Sequence, residues 1–360
     1  MMRNRRARYI AVLRAIGLGL ALAACTLPGT SPSASPSLVP PTVVGVSPTP
    51  TEPVPPRVFL LMPAEDGDPA HAATDAVLDT MALDNGWNLS RLAPGVDTLN
   101  QALAEKPLLM VAVATGLGES LVQAAAAHGE ARWVAIDEAQ VLPAANMLVI
   151  GPAAREDQMA FLAGALVGLA NTNDRVGWIG ESGSVRATLY RNGFIHGVRY
   201  TCPLCWLFEE TTAPGAWAEA GVAAAQLLLP KYIDTAGAFP SPAGEGALLA
   251  LAAGPVRVAG SRPGFAAQVF GGQPEAADKV LGEVQTRPER LLAEYLPRYL
   301  AGELFAEPLV YSIENGGLSY APFASQWITL GLQRNLEEML ARLASGELQI
   351  GIDPATGEEQ

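Results

Sequence analysis

Beyond residue 56 the chain alternates short runs of β-branched and aliphatic residues with longer Ala- and Leu-rich stretches. That alternation is the pattern of strand–helix units laid on parallel sheets. Strands are predicted at Val58–Met62, Trp87–Leu92, Leu108–Ala114, Trp133–Ile136 and Met147–Ile150, with helices at His71–Asn85, Thr98–Glu105 and Gly118–His128 between them. Glu156–Ala170 reads as a helix, Arg175–Ile179 as a strand, Val185–Tyr200 as a helix and Trp206–Glu210 as a strand. Ala216–Leu229, Ile233–Phe239, Gly244–Leu251 and Val256–Ala259 continue as helix, strand, helix, strand. The closing third changes rhythm: Glu275–Ala301 reads as one long helical stretch interrupted by Pro288 and Pro297. Leu309–Ile313 and Gly317–Tyr320 then read as short strands, and Ile328–Ser345 as an amphipathic helix. About ten strands are too many for one sheet, so two doubly wound α/β lobes are expected, with ligand-accessible loops at the carboxyl ends of their strands.

The first 56 residues break this pattern. Arg3, Arg5, Arg6, Arg8 and Arg14 precede an apolar run from Ala15 to Ala24, the charged-then-greasy order of a secretory signal, and the run is shorter than the roughly 20 residues a spanning helix needs. Leu22-Ala23-Ala24-Cys25 is similar to the lipobox of bacterial lipoproteins, which implies cleavage after residue 24 and a diacylglycerol-modified Cys25 as the mature N-terminus. Residues 25–56 are dense in Ser, Thr and Pro and nearly without charge, so they bury too little apolar surface to fold and read as an extended tether. These features place the protein at the extracytoplasmic face of the cell membrane, held there by lipid.

Loss of the signal removes five arginines and no acid, which takes the net charge from −13 to −18. A field of that sign disfavours nucleic acid and anionic lipid as partners, because phosphate binding needs clustered Lys and Arg. About 300 residues remain from Arg57 onward, enough for two ordinary domains with real cores. Besides Cys25 the cysteines are Cys202 and Cys205, in Cys-Pro-Leu-Cys. Outside the cytoplasm this pair is free to oxidise and reads as a local structural disulfide ahead of free thiols. A thioredoxin-like role wants such a pair at a helix start after a strand, whereas Trp206-Leu207-Phe208 points to a strand following it. No second Cys or His pair accompanies it, which argues against zinc. His71, His128 and His196 all fall in or at the ends of predicted helices, and neither a Gly-x-Ser-x-Gly elbow nor a His-Glu-x-x-His pattern is present, so an exported hydrolase is disfavoured.

Glu156-Asp157-Gln158 followed by Phe161-Leu162-Ala163-Gly164, then Arg175-Val176-Gly177-Trp178-Ile179-Gly180 and Asn192-Gly193-Phe194-Ile195-His196-Gly197, is similar to the basic membrane protein family of substrate-binding lipoproteins. Leu108–Gly116, Trp133–Asp137, Ala243–Leu251, Gly302-Glu303-Leu304, Gly316-Gly317-Leu318 and Ser345-Gly346-Glu347-Leu348 extend the resemblance over most of residues 57–350. The resemblance implies a type I periplasmic-binding fold, two α/β lobes joined by three crossovers and closing over one small ligand. The crossovers would fall near Leu148–Pro152, Ala259–Phe265 and Ser312–Gly317. An N-terminal lobe would then comprise residues 57–150 and 262–312, a C-terminal lobe residues 151–261 and 313–350, and residues 351–360 would be a tail. Characterised members deliver purine nucleosides to an ABC importer, so a small-molecule ligand, a membrane permease and a monomeric state are expected, with no enzyme activity, cofactor or metal. A ligand sensor of the same fold feeding a signalling partner is the alternative.

In this family ligand contacts come from the loops at strand carboxyl ends. The first such loop here contains Glu65 and Asp66, whose carboxylates can accept hydrogen bonds from base or ribose donors. Thr115 and Gly116 open a helix and offer a hydroxyl and backbone amides, although no Gly-Lys-Ser/Thr follows to make a phosphate loop. Asp137, Glu181 and Ser182 end their strands, and Glu181 adds a charge where the family has a Gly-Gly turn. Phe239 is the candidate for stacking, with Ser241 beside it. At Gly260-Ser261-Arg262 the family presents an acid that binds ribose hydroxyls, but Ser261 and Arg262 stand in this chain. A guanidinium only donates, so a nucleoside loses its expected sugar contact there and an anionic ligand gains one.

Overall fold

The computed structural model describes residues 54–64, 68–272, 274–322 and 327–360. The signal, Cys25 and nearly all of the tether, together with Glu65 and Asp66, lie outside the described residues.

The first half builds five strands and four helices: β1 (Arg57–Leu61), α1 (Pro69–Asn85), β2 (Asn88–Leu92), α2 (Val96–Ala104), β3 (Leu109–Val113), α3 (Gly118–Ala127), β4 (Arg132–Ile136), β5 (Met147–Ala154) and α4 (Glu156–Ala170). Next come β6 (Arg175–Glu181), α5 (Val185–Thr201), β7 (Trp206–Thr212), α6 (Ala218–Leu228), β8 (Thr235–Ala238), α7 (Pro242–Ala252) and β9 (Arg257–Gly260). The last part adds α8 (Phe265–Phe270), α9 (Pro274–Ala277), β10 (Val280–Thr286), α10 (Pro288–Leu300), β11 (Leu309–Tyr311), β12 (Leu318–Pro322) and α11 (Leu330–Ala344). Two six-stranded sheets result, ordered β11-β5-β4-β3-β1-β2 and β12-β10-β9-β8-β6-β7. Every pairing is parallel except β10 with β12. The expectation of two doubly wound α/β lobes is met.

β3 shows why the strands were legible. All five of its residues, Leu-Met-Val-Ala-Val, are buried, because helices cover both faces of a parallel sheet. Leu99, Leu103 and Leu121 from α2 and α3 pack on one face of the first sheet, and α6 and α7 pack Ala225, Leu228, Leu248 and Leu251 on one face of the second. A third buried cluster runs from Val111 and Ile136 of the first sheet through Phe161 and Leu166 of α4 to Trp178 of the second. Among the described residues no helix is long and apolar enough to cross a membrane.

Glu275–Ala301 is not one helical stretch. Val280, Leu281 and Val284 are buried in β10, and Pro288 stands in the first turn of a new helix, α10, instead of kinking an old one. Proline suits that position, since its missing N–H has no helical partner there anyway. This unrecognised strand also moves the second crossover. β10 pairs with β9 and β12, so residues 262–286 belong with the second sheet, and the chain returns to the first sheet at Thr286–Pro288, not at Ala259–Phe265. The first sheet then regains only α10, which packs on α1 and β5, and β11.

Residues 154–156 make the first crossing and residues 312–317 the third. Gln158 ties these two together: its Oε1 accepts from the Ile313 N–H at 2.8 Å and its Nε2 donates to the Glu314 carboxylate at 2.7 Å. The Arg155 N–H donates to the Tyr311 carbonyl beside them at 2.8 Å. Within the second lobe α4 and α5 cross closely, and a Cβ at Gly164 would run into the Phe194 carbonyl, one at Gly197 into the Phe161 carbonyl. The motifs that carry the family resemblance are therefore the reciprocal contacts of one helix–helix crossing. Cys202 and Cys205 form a disulfide between the end of α5 and the start of β7. Residues 351–360 fold back onto α5, with the Asn192 side chain donating to the Gly357 carbonyl at 2.8 Å.

Candidate functional site

Each crossing leaves from the carboxyl end of a parallel strand, β5, β10 or β11, so these ends of both sheets lie at the hinge side. In a doubly wound sheet this is the end where loops and helix N-termini are free to receive a ligand. A cavity of about 460 Å³ opens there. It is lined by Pro152, Ala153 and Ala154 of the first crossing, Arg155, Glu156, Asp157 and Met159 at the start of α4, Arg186, Leu189 and Tyr190 of α5, Arg262 after β9, and Pro354 of the folded-back tail. Among the described residues no histidine, cysteine or serine lines it. A cavity of about 500 Å³ also opens beside Cys205 and Trp206, but it lies at the amino end of β7, the wrong end for a ligand site in a sheet of this kind.

Three guanidinium groups face the hinge cavity, each fixed by an acid. Arg155 is held by Asp157 through two parallel bonds, 2.9 and 2.7 Å, and this pairing raises the guanidinium above its ordinary pKa. Arg186 bonds Glu156 and lies over the rings of Tyr190 and Phe239, 5.4 and 5.1 Å from their centroids, an arrangement in which the ring faces attract the cation. Arg262 donates to Glu245 through Nε at 2.7 Å and through Nη2, and its Nη1 donates to the Pro263 carbonyl at 3.1 Å. Burial pushes the Tyr190 phenol upward, and its hydroxyl points to the Met159 sulfur at 3.7 Å.

The first lobe presents acids at the same end. Asp137 follows β4 in a left-handed backbone conformation, φ 54°, and accepts from the Tyr311 hydroxyl at 3.0 Å. Burial pushes its carboxyl up to about 6, against the pull of that hydrogen bond. Glu138 is buried and accepts from the Thr115 N–H at 2.5 Å and hydroxyl at 2.6 Å, while its second oxygen has no hydrogen-bond partner among the described residues. Across the hinge, Glu283 of β10 is raised by burial, with the amides of Ala266 and Gly264 and the charge of Arg262 opposing that and Asp68 of the first lobe adding to it.

The predicted contacts fare unevenly. Glu65 and Asp66 lie outside the described residues; among the others Arg262 alone lines the hinge cavity. Asp137 sits near it, since Gly151 packs against both Asp137 and Tyr311 one residue before Pro152. The Thr115 hydroxyl is committed to Glu138 and to the Leu117 N–H, and Gly116 is exposed. Ser241 caps α7 by accepting from the Gly244 N–H, and Ser261 is buried and donates to the Ala238 carbonyl, so both hydroxyls serve the fold. Phe239 is buried, with the Tyr190 edge on one side and Arg186 above, which closes it as a platform for a base. Glu181 accepts from the Gly215 N–H at 3.4 Å, and exposed Ser182 bonds the Thr212 carbonyl, both outside the cavity lining. Arg155, Arg186 and Tyr190 were not anticipated. The signal for them is positional: each stands in or beside the first turns of a helix that begins at a strand's carboxyl end.

No protein-family model matches the chain, and no curated protein matches it. Solved structures do. An ABC-transporter solute-binding protein from Conexibacter woesei DSM 14684 matches with a TM-score of 0.57 at 20% identity, covering 82% of this chain and 98% of that one. A transcriptional activator of the comK gene from Bacillus halodurans matches with a TM-score of 0.54 at 14% identity, covering 81% and 99%. An arabinose-binding protein from Geobacillus stearothermophilus matches with a TM-score of 0.48 at 13% identity, covering 75% and 97%. The first two similarities establish the two-lobed fold of periplasmic-binding proteins.

Proposed function

We propose that this chain is a lipid-tethered, extracytoplasmic solute-binding protein that captures a small polar ligand between its two lobes and presents it to an ABC-type permease. The observation that carries this reading is the polar cavity of about 460 Å³ at the hinge, where two parallel sheets turn their ligand-receiving ends toward three crossing segments. A crevice of this size, with apolar walls and a few convergent polar groups, suits capture of a small molecule, and among the described residues its lining holds no Ser–His or Cys–His pair. Ligand touching both lobes favours the closed arrangement, and closure is the signal a membrane partner reads. The signal-like N-terminus and Ser/Thr/Pro-rich tether supply membrane attachment, and the protein acts as a monomer.

Nucleoside specificity of the family's kind has weak support in the site. Ser261 and Arg262 replace the ribose-binding acid, Phe239 is covered, and the ligand class is better sought among solutes that a guanidinium recognises. The sensor alternative uses the same fold, as the match to a protein named for transcriptional activation illustrates. A thermal-shift screen of the protein against nucleosides, sugars, amino acids and organic acids tests the reading, since a ligand that binds only the folded state raises the melting temperature by mass action. The transport reading expects at least one class to stabilise the protein and the permease complex to take up that solute. Silence across all classes contradicts it, and stabilisation without uptake favours the sensor.

A further inference from the structure

We propose, building on the receptor reading above, that the captured solute carries an oxyanion, a carboxylate or a phosphate ester, and that Arg155, Arg186 and Arg262 hold this group in the hinge cavity. The three guanidiniums come from three separate stretches: the first crossing, the first turn of α5 and the loop after β9. Their convergence on one cavity in a chain of net charge −13 is a local reversal of the molecule's overall sign.

Glu156 and Asp157 line the cavity too, but each is less exposed than the arginine it pairs with. The Asp157 side chain is 1% exposed behind an Arg155 that is 33% exposed, and Glu156 is 25% exposed beside an Arg186 at 50%. Glu245, the partner of Arg262, is not part of the cavity wall. At Arg155 and Arg186 the cation is thus the more exposed member of its pair, while Arg262 and Glu245 are exposed about equally, 24% and 28%. Such an arrangement explains how one cavity wall tolerates three cations: each keeps a partner that offsets its desolvation, while N–H groups not bonded to that partner can meet an acceptor. Arg155 bonds Asp157 through Nε and Nη2 and so leaves its Nη1 amino group uncommitted among the described residues. The 15-residue α4 and 17-residue α5 also begin at this cavity, and their N-terminal partial charges add to the attraction.

A neutral polyol finds less here. The hydroxyl of Ser261, next to Arg262 in sequence, donates to the Ala238 carbonyl, and Ser241 accepts from the Gly244 N–H; neither lines the cavity. Pro152, Ala153, Ala154 and Leu189 make the wall aliphatic on one part, and the acids in the lining, Glu156 and Asp157, are already bonded to Arg186 and Arg155. A fork of guanidinium donors is matched by the paired oxygens of a carboxylate or phosphate, not by a single hydroxyl.

Calorimetric titration of the full-length protein with matched probes tests this: D-ribose against ribose 5-phosphate, D-glucose against glucose 6-phosphate, D-glucose against D-glucuronate, and inorganic phosphate alone. Preference for phosphates or for glucuronate tells which oxyanion is meant. In at least one pair the charged member is expected to bind more than about tenfold tighter, and Arg186→Gln, on a half-exposed side chain, is expected to erase about tenfold of that affinity while leaving cooperative unfolding intact. Arg262→Lys keeps the charge but loses the fork, and is expected to weaken the anion by a smaller factor. Neutral members binding as tightly as their charged partners, or an Arg186→Gln protein with unchanged anion affinity, overturns the inference and leaves the receptor reading standing. No binding by any probe to a cooperatively folded protein overturns the inference, and the receptor reading is then decided by the thermal-shift screen across all four solute classes.

Discussion

The two lobes share one plan and differ in what they carry at the end that matters. Each is a six-stranded sheet flanked by helices, and the chain crosses between them at strand carboxyl ends. At that end the first lobe presents Asp137, buried Glu138 and the Tyr311 phenol, whereas the second presents Arg155, Arg186 and Arg262, each bonded to an acid, with Arg186 lying over the rings of Tyr190 and Phe239. A shared architecture has therefore been fitted with opposite chemistry on its two faces. The fold depends on positions that pack, such as the α4–α5 crossing, and the ligand class depends on a few first-turn and loop residues that packing leaves free.

The contrast between packing positions and ligand positions can be broken by substitution. Gly164→Val pushes a branched side chain into the Phe194 carbonyl, and is expected to cost about 3 kcal/mol of stability, seen as a lowered urea midpoint. An unchanged midpoint would mean that the family-like motif is not there for packing. Next, Asp137→Asn tests the acidic face. Because burial raises this carboxyl from 3.8 to about 6, the folded state holds the proton more tightly than the unfolded state, so stability is highest at low pH and falls as pH rises from about 4 to about 6. The asparagine variant removes that slope and is expected to be more stable than the parent at pH 8 by on the order of 2 kcal/mol, measured by denaturation across the pH range. A steeper slope in the variant would place the raised carboxyl elsewhere.

Gln158→Ala strips the Ile313 N–H of its partner where the first and third crossings meet, with an expected loss of about 1–2 kcal/mol and faster amide exchange at residues 312–317. The smallest effect belongs to Ser241→Ala, which removes a helix cap and should cost about 1 kcal/mol while leaving ligand affinity as it was. A large affinity loss there would return Ser241 to the site.

Fold class was legible because its signals are periodic and redundant. The unbroken apolar run of β3 and the Ala/Leu-rich α4, buried along nearly its whole length, announce buried parallel strands and core helices by composition alone. β10 escaped notice because Val280-Leu281-Gly282-Glu283-Val284 is short, holds a glycine and an acid, and stands before a proline that reads equally as a kink and as a helix start. That one strand displaced the second crossover and with it the lobe boundary. In the site, Arg262 was found because a cation stood where the family has an acid. Arg155 and Arg186 were not, since an arginine paired with a glutamate or aspartate near a helix start looks like any solvated ion pair until the fold brings three of them to one cavity. Ser241 and Ser261 erred the other way: a serine at a strand end is as well suited to capping or bonding a carbonyl as to meeting a ligand, and only the neighbouring backbone decides.

The central claim is that the lobes close on a solute at the hinge. Spin labels carried by unnatural amino acids at Gln101 of α2 and Glu219 of α6, both exposed and one on each lobe, leave Cys25 and the Cys202–Cys205 pair untouched. Their distance distribution should shorten and narrow when a solute that binds by calorimetry is added to saturation. A distribution that stays the same at saturation would contradict a two-lobed receptor that signals by closing.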